Sequence, residues 1–190
     1  MSSTPANADA NKEALKQLLV ERSVKKGNFI LASGKASTLY VDARLTTMSP
    51  DGMVLIGSLG LSALVSEGWN PDSIGGLTMG ADPVAFAISH TSAVQGRPVR
   101  AFSVRKEAKG HGTGNRIEGP FRPGDRVVIV EDVITTGKSA LQAIDAVENA
   151  GGIIVGVLSV VDRQDGGREA IGERGYSVFA LTTIDELTIG

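Results

Sequence analysis

VVIVEDVITTGKSALQA, residues 127–143, is an apolar run that ends in two acids, then a Thr-Thr-Gly turn, then the start of a helix. Val127 to Val130 show no polar/apolar alternation, as expected of a strand covered on both faces in a parallel sheet. The tail, TGKS at residues 136–139, matches the end of the nucleotide-binding P-loop. That loop also needs a glycine five positions before its last one, and Asp132 stands there. A helix N-terminus offers unpaired N–H groups and the positive end of the helix dipole, which suits a phosphate monoester. Thr135, Thr136 and Ser139 add hydroxyls, and Gly137 lets the backbone approach the anion. Adjacent carboxylates repel a bare phosphate but accept hydrogen bonds from a vicinal diol. The stretch therefore fits a phosphoribosyl group, with its phosphate on the turn and its ribose hydroxyls on Glu131 and Asp132. The plain alternative is a junction in which Thr and Ser only cap the helix and the acids are solvated.

Outward from this junction the chain alternates. Strands are expected at residues 73–77, 99–104, 127–130, 153–161 and 178–181, and helices at 83–94, 139–149 and 167–174. Ser49-Pro50 is an N-cap followed by a first-turn proline, opening a helix to Glu67 that stops at Gly68. Residues 107–124 read as a long polar loop. Toward the N-terminus, residues 1–10 read as a disordered tail and residues 11–26 as an amphipathic helix ending at Gly27. Residues 29–31 and 38–41 read as short strands around a turn. Residues 11–190 are taken as one domain, with 11–48 forming a helix and small hood. The pattern predicts an α/β fold, a central mostly parallel sheet flanked by helices. In such sheets ligands sit beyond the carboxyl ends of the strands. Residues 78–82, 105–119, 131–138 and 162–167 are expected to converge there.

Composition narrows the function. The chain has 190 residues, 42% of them hydrophobic, which is enough for one well-cored domain. A net charge of −2 and only 4% aromatics argue against nucleic-acid binding. There is no cysteine, which removes thiol nucleophiles and zinc-thiolate sites. The two histidines, His90 and His111, are too far apart for a helical metal pair. No apolar run approaches the ~20 residues of a membrane helix, and residues 1–18 lack a signal-peptide core. A soluble cytoplasmic protein is expected.

VVIVEDVITTGKSA resembles the phosphoribosyl pyrophosphate (PRPP) motif of the type I phosphoribosyltransferase family, and further segments resemble its orotate-using branch. VRKEAKGHGTGNRIEG, residues 104–119, is similar to the mobile catalytic loop. GNFILASGKASTLYVDARL is similar to the hood over orotate, GGLTMGADPVA to the pyrophosphate loop, and VVDRQDGG to the segment closing over orotate. The resemblance covers residues 27–167, most of the chain. It implies the type I fold and transfer of the 5-phosphoribosyl group from PRPP to orotate. The products would be orotidine 5′-monophosphate and pyrophosphate, in de novo pyrimidine (UMP) biosynthesis. It implies Mg²⁺ carried on the pyrophosphate, with no protein ligand directly assigned, and a homodimer whose loop 105–119 serves the neighbouring subunit.

By the same resemblance PRPP is held by Arg105, Lys106, Lys109, His111, Glu131, Asp132, Val133, Ile134, Thr135, Thr136, Gly137, Lys138 and Ser139. Arg105, Lys109, His111 and Asp132 take part in catalysis, and orotate is held by Thr135, Arg163 and Tyr40. Physically, Arg105, Lys106 and Lys109 place three cations, and His111 one titratable group, where charge develops on a departing pyrophosphate. Read alone, the same loop is a flexible basic surface loop. Arg163 offers a planar fork for orotate's carboxylate; read alone, it pairs with Asp162 or Asp165. A lysine common in the family's hood is Ala32 here, and the loop at residues 78–82 lacks another. His90 receives no role. Three rivals remain: a sister transferase for another base, a non-enzymatic PRPP sensor, and, disfavoured by Asp132, a P-loop ATPase.

Overall fold

The chain is represented by a computed structural model that describes residues 5–30, 36–107 and 116–188. The run 127–130 lies in strand β6 (Arg126–Ile134). Its Val128 and Val130 join one core, and Val127 and Ile129 join another on the opposite face, all four fully buried. That is why the sequence does not alternate: period-two side chains meet apolar cover on both sides. The first core also takes Ile56 and Leu59 of α3 (Pro50–Ser66) and Val84 and Ile88 of α4 (Ala81–Val94). The second takes Ala140, Ala143, Ile144 and Val147 of α5 (Lys138–Asn149), spaced three and four apart on one helix face.

Six strands form the sheet in the order β5-β4-β3-β6-β7-β8. They are β3 (Ser73–Leu77), β4 (Arg100–Val104), β5 (Ile117–Glu118), β6, β7 (Ile153–Asp162) and β8 (Val178–Thr183). All neighbours pair in parallel except β5, which runs antiparallel to β4. The chain travels outward from β3 to β5, then re-enters on the other side of β3 at β6. Strand order thus reverses between β3 and β6, and the segments leaving them diverge into a crevice. The short α6 (Gly167–Gly172) joins β7 to β8.

The hood is a two-stranded antiparallel sheet, β1 (Val24–Ile30) and β2 (Ala36–Val41). It is rooted by α1 (Pro5–Arg22), which buries Leu15 and Leu19, and by the single turn α2 (Arg44–Thr47). At the start of α3, Ser49 accepts from the Gly52 N–H at 3.2 Å, the expected cap, and Gly68 ends the helix region at φ +66°.

Three expectations are corrected. Residues 5–10, read as a disordered tail, belong to α1: a proline in the first turn lacks only an N–H that would have no helical partner. That helix stops at Arg22, four residues short of Lys26. Ser23 is fully buried, its O accepts from the Asp42 N–H at 2.9 Å, and Val24 then pairs with Val41. Sheet pairing wins over helical propensity there. The polar loop at 107–124 contains β5, because Ile117 is apolar enough to be buried beside Phe102 in the second core.

The hood's root depends on one buried hydroxyl pair, Ser23 Oγ and Thr46 Oγ1 at 2.8 Å. Thr46→Val keeps the shape and strands the Ser23 hydroxyl. We expect about 1–3 kcal/mol of destabilisation by denaturant unfolding. A loss within error of zero would show that the hood is anchored elsewhere.

Candidate functional site: the crevice at the strand switch

The crevice is a cleft of about 1670 Å³. Its floor is the whole segment Glu131, Asp132, Val133, Ile134, Thr135, Thr136, Gly137, Lys138 and Ser139. Gly137 has φ +76° and caps α5 with no side-chain hydrogen bond, so the first turn of that helix presents its N–H groups toward the cleft. A Cβ there would lie 2.8 Å from the Gly167 carbonyl oxygen, so no larger residue fits. Arg163 N–H donates to the Ile134 carbonyl at 2.9 Å, which ties the β7 exit to this turn. The TTGKS segment thus forms a left-handed turn that opens onto the cleft ahead of the α5 N-terminus.

The two acids sit where β6 leaves the sheet. Glu131 is only 5% exposed, and its Oε2 has no hydrogen-bond partner among the described residues. Burial, then the neighbouring Asp132 charge, pushes the Glu131 carboxyl well above the usual range. Burial also raises Asp132, opposed by the Val133 N–H, which donates to Oδ1 at 2.8 Å, and by the Arg44 charge. Across the switch point Gly80 presses on this pair: a Cβ on Gly80 would fall 2.5 Å from Asp132 Oδ1. Asp82, in contrast, turns back to accept from Thr78 Oγ1 at 2.6 Å and does not line the cleft.

At the hood end, Arg163 is nearly buried, its side chain 8% exposed. Its Nη2 donates to Ser37 Oγ at 3.2 Å, its Nη1 to the Leu39 carbonyl at 3.3 Å, and its Nε to Asp165 at 3.4 Å. Of the two acids weighed as its partner, Asp165 is the one it meets; Asp162 is engaged by Arg168 at 3.0 Å. Tyr40 lines the cleft 39% exposed, its ring 5.6 Å from that of Phe29. Arg105 and Lys106 line it from the end of β4; Arg105 approaches Glu118 at 3.4 Å. Lys109, His111 and Ala32 lie outside the described residues.

Arg44 and Asp42 also line this cleft, and nothing in the sequence reading singled them out. Arg44 Nε and Nη2 donate to the two oxygens of Asp42 at 2.8 and 3.0 Å. The only signal was an Asp-x-Arg at the end of the hood segment, too short to interpret alone.

Comparisons place the chain among known proteins. Residues 60–183 match the family model described as "Phosphoribosyl transferase domain". Orotate phosphoribosyltransferase of Aquifex aeolicus is 46% identical over 179 residues, spanning 93% of this chain and 97% of that protein. The Corynebacterium glutamicum enzyme of the same name is 45% identical over 98% of both chains. The chain belongs to the orotate phosphoribosyltransferase family. A crystal structure of Mycobacterium tuberculosis orotate phosphoribosyltransferase superposes with a TM-score of 0.83 at 42% identity, covering 94% of this chain and 99% of that one. A second structure of that enzyme, in complex with PRPP, gives 0.77 at 38% identity, over 94% and 92% of the two chains. The type I phosphoribosyltransferase fold expected from the sequence is therefore the observed one.

The buried acid makes a prediction within this family's fold. A carboxyl held above its ordinary value, near 4.5, costs no stability while protonated, and stability is lost as pH rises through the raised value. Glu131→Gln removes that loss. The ligand-free variant is expected to melt higher than the parent at neutral pH by roughly 2–4 °C, about 1 kcal/mol. The gap should open as pH rises above the ordinary carboxyl value near 4.5 and widen until the buried carboxyl ionises, as followed in thermal melts. A gap that stays flat across that window would mean the carboxylate ionises there without penalty.

Proposed function

We propose that the chain transfers the 5-phosphoribosyl group from PRPP to orotate, releasing pyrophosphate and forming orotidine 5′-monophosphate for pyrimidine synthesis. One observation carries this: the anion turn, the paired acids and a nearly buried Arg163 under the hood open into one cleft. Arg163 supports orotate in particular. Its present contacts, at 3.2 to 3.4 Å, are longer than the ~2.7–2.9 Å of a charge-assisted bond. A ligand carboxylate can take the Nη1 and Nη2 edge in two parallel, shorter bonds in place of the long contacts to Ser37 and Leu39. A base without a carboxylate has no use for it.

In this mechanism residues 135–139 seat the 5′-phosphate, and Glu131 and Asp132 receive the ribose hydroxyls. The C1–oxygen bond breaks with its electron pair leaving on pyrophosphate, and the base nitrogen closes the new bond to C1 as its proton passes to the pyrophosphate or to solvent. The Asp132 charge favours the positive character that develops on the ribose, and the role of stabilising the departing anion falls to the loop's Arg105, Lys106, Lys109 and His111, of the same or the neighbouring subunit. Tyr40 covers the base, and Thr135 meets its edge.

Mg²⁺ is the cofactor this reading implies. Among the described residues no group of three or more His, Asp and Glu is placed to hold a metal alone. Glu131, with its unpartnered Oε2, and Asp132 supply hard oxygens at the diol position and fit an ion that arrives on the substrate. They would hold it through the substrate's oxygens, and when bound it would neutralise charge on the leaving group.

A homodimer, with residues 105–119 completing the partner's site, belongs to the same proposal. In its support, Leu45 on α2, Met48 at its C-terminal cap, Val54 on α3 and Phe86 on α4 expose 46 to 70% of their surface. Side chains of this kind suit burial against a second copy. No helix among the described residues is long and apolar enough to cross a membrane, and the cytoplasm is the compartment the reaction implies.

The test is spectrophotometric: with PRPP and Mg²⁺ the chain should consume orotate. Arg163→Ala should raise the orotate KM roughly a hundredfold, with the PRPP KM little changed. Turnover of adenine or hypoxanthine without orotate, or an orotate KM indifferent to Arg163, would overturn the substrate assignment. Binding of PRPP with no turnover of any base would favour a sensor.

A further inference from the structure

The cleft's cations are not equivalent. Arg163 lies under the hood, and Lys138 belongs to the anion turn. Arg105 and Lys106 are exposed at the end of β4. The turn after β3, residues 78–80, brings no charge to the cleft at all. Arg44 differs from each. It lines the cleft together with Asp132, and the two charges influence each other's ionisation. With the phosphate end of the substrate on residues 135–139 and the diol on the acids, C1 and its pyrophosphate lie past Asp132, toward the Gly80 turn and Arg44.

We infer that Arg44 is a fixed binding residue for the pyrophosphate portion of the substrate. This rests on the phosphoribosyl reading of the cleft and names the group that replaces the lysine the 78–82 loop lacks. Three observations carry it. Arg44 lines the cleft together with Met79 and Gly80. Asp42 grips the guanidinium through Nε and Nη2, leaving Nη1 without a hydrogen-bond partner among the described residues. The backbone beneath is fixed: Ala43, Thr46 and Thr47 are buried, and Asp42 N–H donates to the Ser23 carbonyl at 2.9 Å.

A guanidinium already oriented by a carboxylate loses little freedom when an anion arrives. The Asp42 clasp spends one edge of the fork and tempers the charge, so the site favours a polyanion over a single carboxylate. That separates Arg44 from Arg163, whose carboxylate neighbour stands off at 3.4 Å.

Pyrophosphate binding, measured by calorimetry in the presence of Mg²⁺, tests this without any base. Arg44→Ala should weaken pyrophosphate and raise the PRPP KM by about tenfold or more, leaving the orotate KM within about twofold. Arg44→Lys, which keeps a charge without the fork, should recover part of the loss. Circular dichroism of each variant confirms folding. Unchanged pyrophosphate affinity in Arg44→Ala, or a loss confined to orotate, would overturn the inference. Failure of the parent chain to use orotate would sink the substrate assignment while leaving the pyrophosphate comparison to stand on its own.

Discussion

A carboxyl group buried at the exit of the central strand is the constraint around which the rest is arranged. Glu131 is 5% exposed with one oxygen unpaired, next to a second acid, in a strand whose residues 127–130, 133 and 134 are aliphatic. Burying such a group costs free energy unless something hydrogen-bonds it. Pairing of β3 with β6 ends at Ile129, and although β7 still pairs alongside at Ser159, no described side chain reaches Oε2. The place where the sheet is least able to satisfy a polar group is therefore where the fold puts two of them. A ligand bearing hydroxyls turns that cost into affinity.

The surrounding elements look secondary but follow from this placement. Gly80 leaves room for the Asp132 carboxylate, which a larger residue there would displace, so the turn after β3 closes directly on the acids. Gly137 must be glycine because the chain takes a left-handed conformation against Gly167. Between these two contacts the distance from diol to phosphate is set by backbone, not by flexible side chains. Preorganisation of this kind matters most for a reaction whose catalysis is mainly electrostatic.

Much of this was legible in the chain. The run at 127–130 reads as a doubly covered strand, Ser49-Pro50 as the start of α3 and TTG as the turn into α5, because each is a local property of consecutive residues. What stayed hidden depended on partners far along the chain. Val24 suits a helix face and a strand equally, and only Val41 and the buried Ser23 decide between them. Ile117 is one apolar residue in a polar stretch, and its strand exists because β4 offers an edge. Arg44 is one cation in a short charged hood segment, and its meaning arises only when α2 carries it to the β6 exit.

The site's charge arrangement also shows why the chain uses arginine where a lysine could supply the same formal charge. The cleft holds acids and cations close together, so an ammonium on a flexible stem could swing to Asp132 or Asp42 and be lost to the substrate. Arg44 meets Asp42 with two nitrogens and keeps a third pointing elsewhere; Arg163 spreads its contacts over a hydroxyl, a carbonyl and a carboxylate. A guanidinium can be held and still bind, since its donors are fixed in a plane and cannot all be satisfied by one partner. In a cleft that must hold two acids and a polyanion at once, that property lets opposite charges sit side by side without collapsing onto each other.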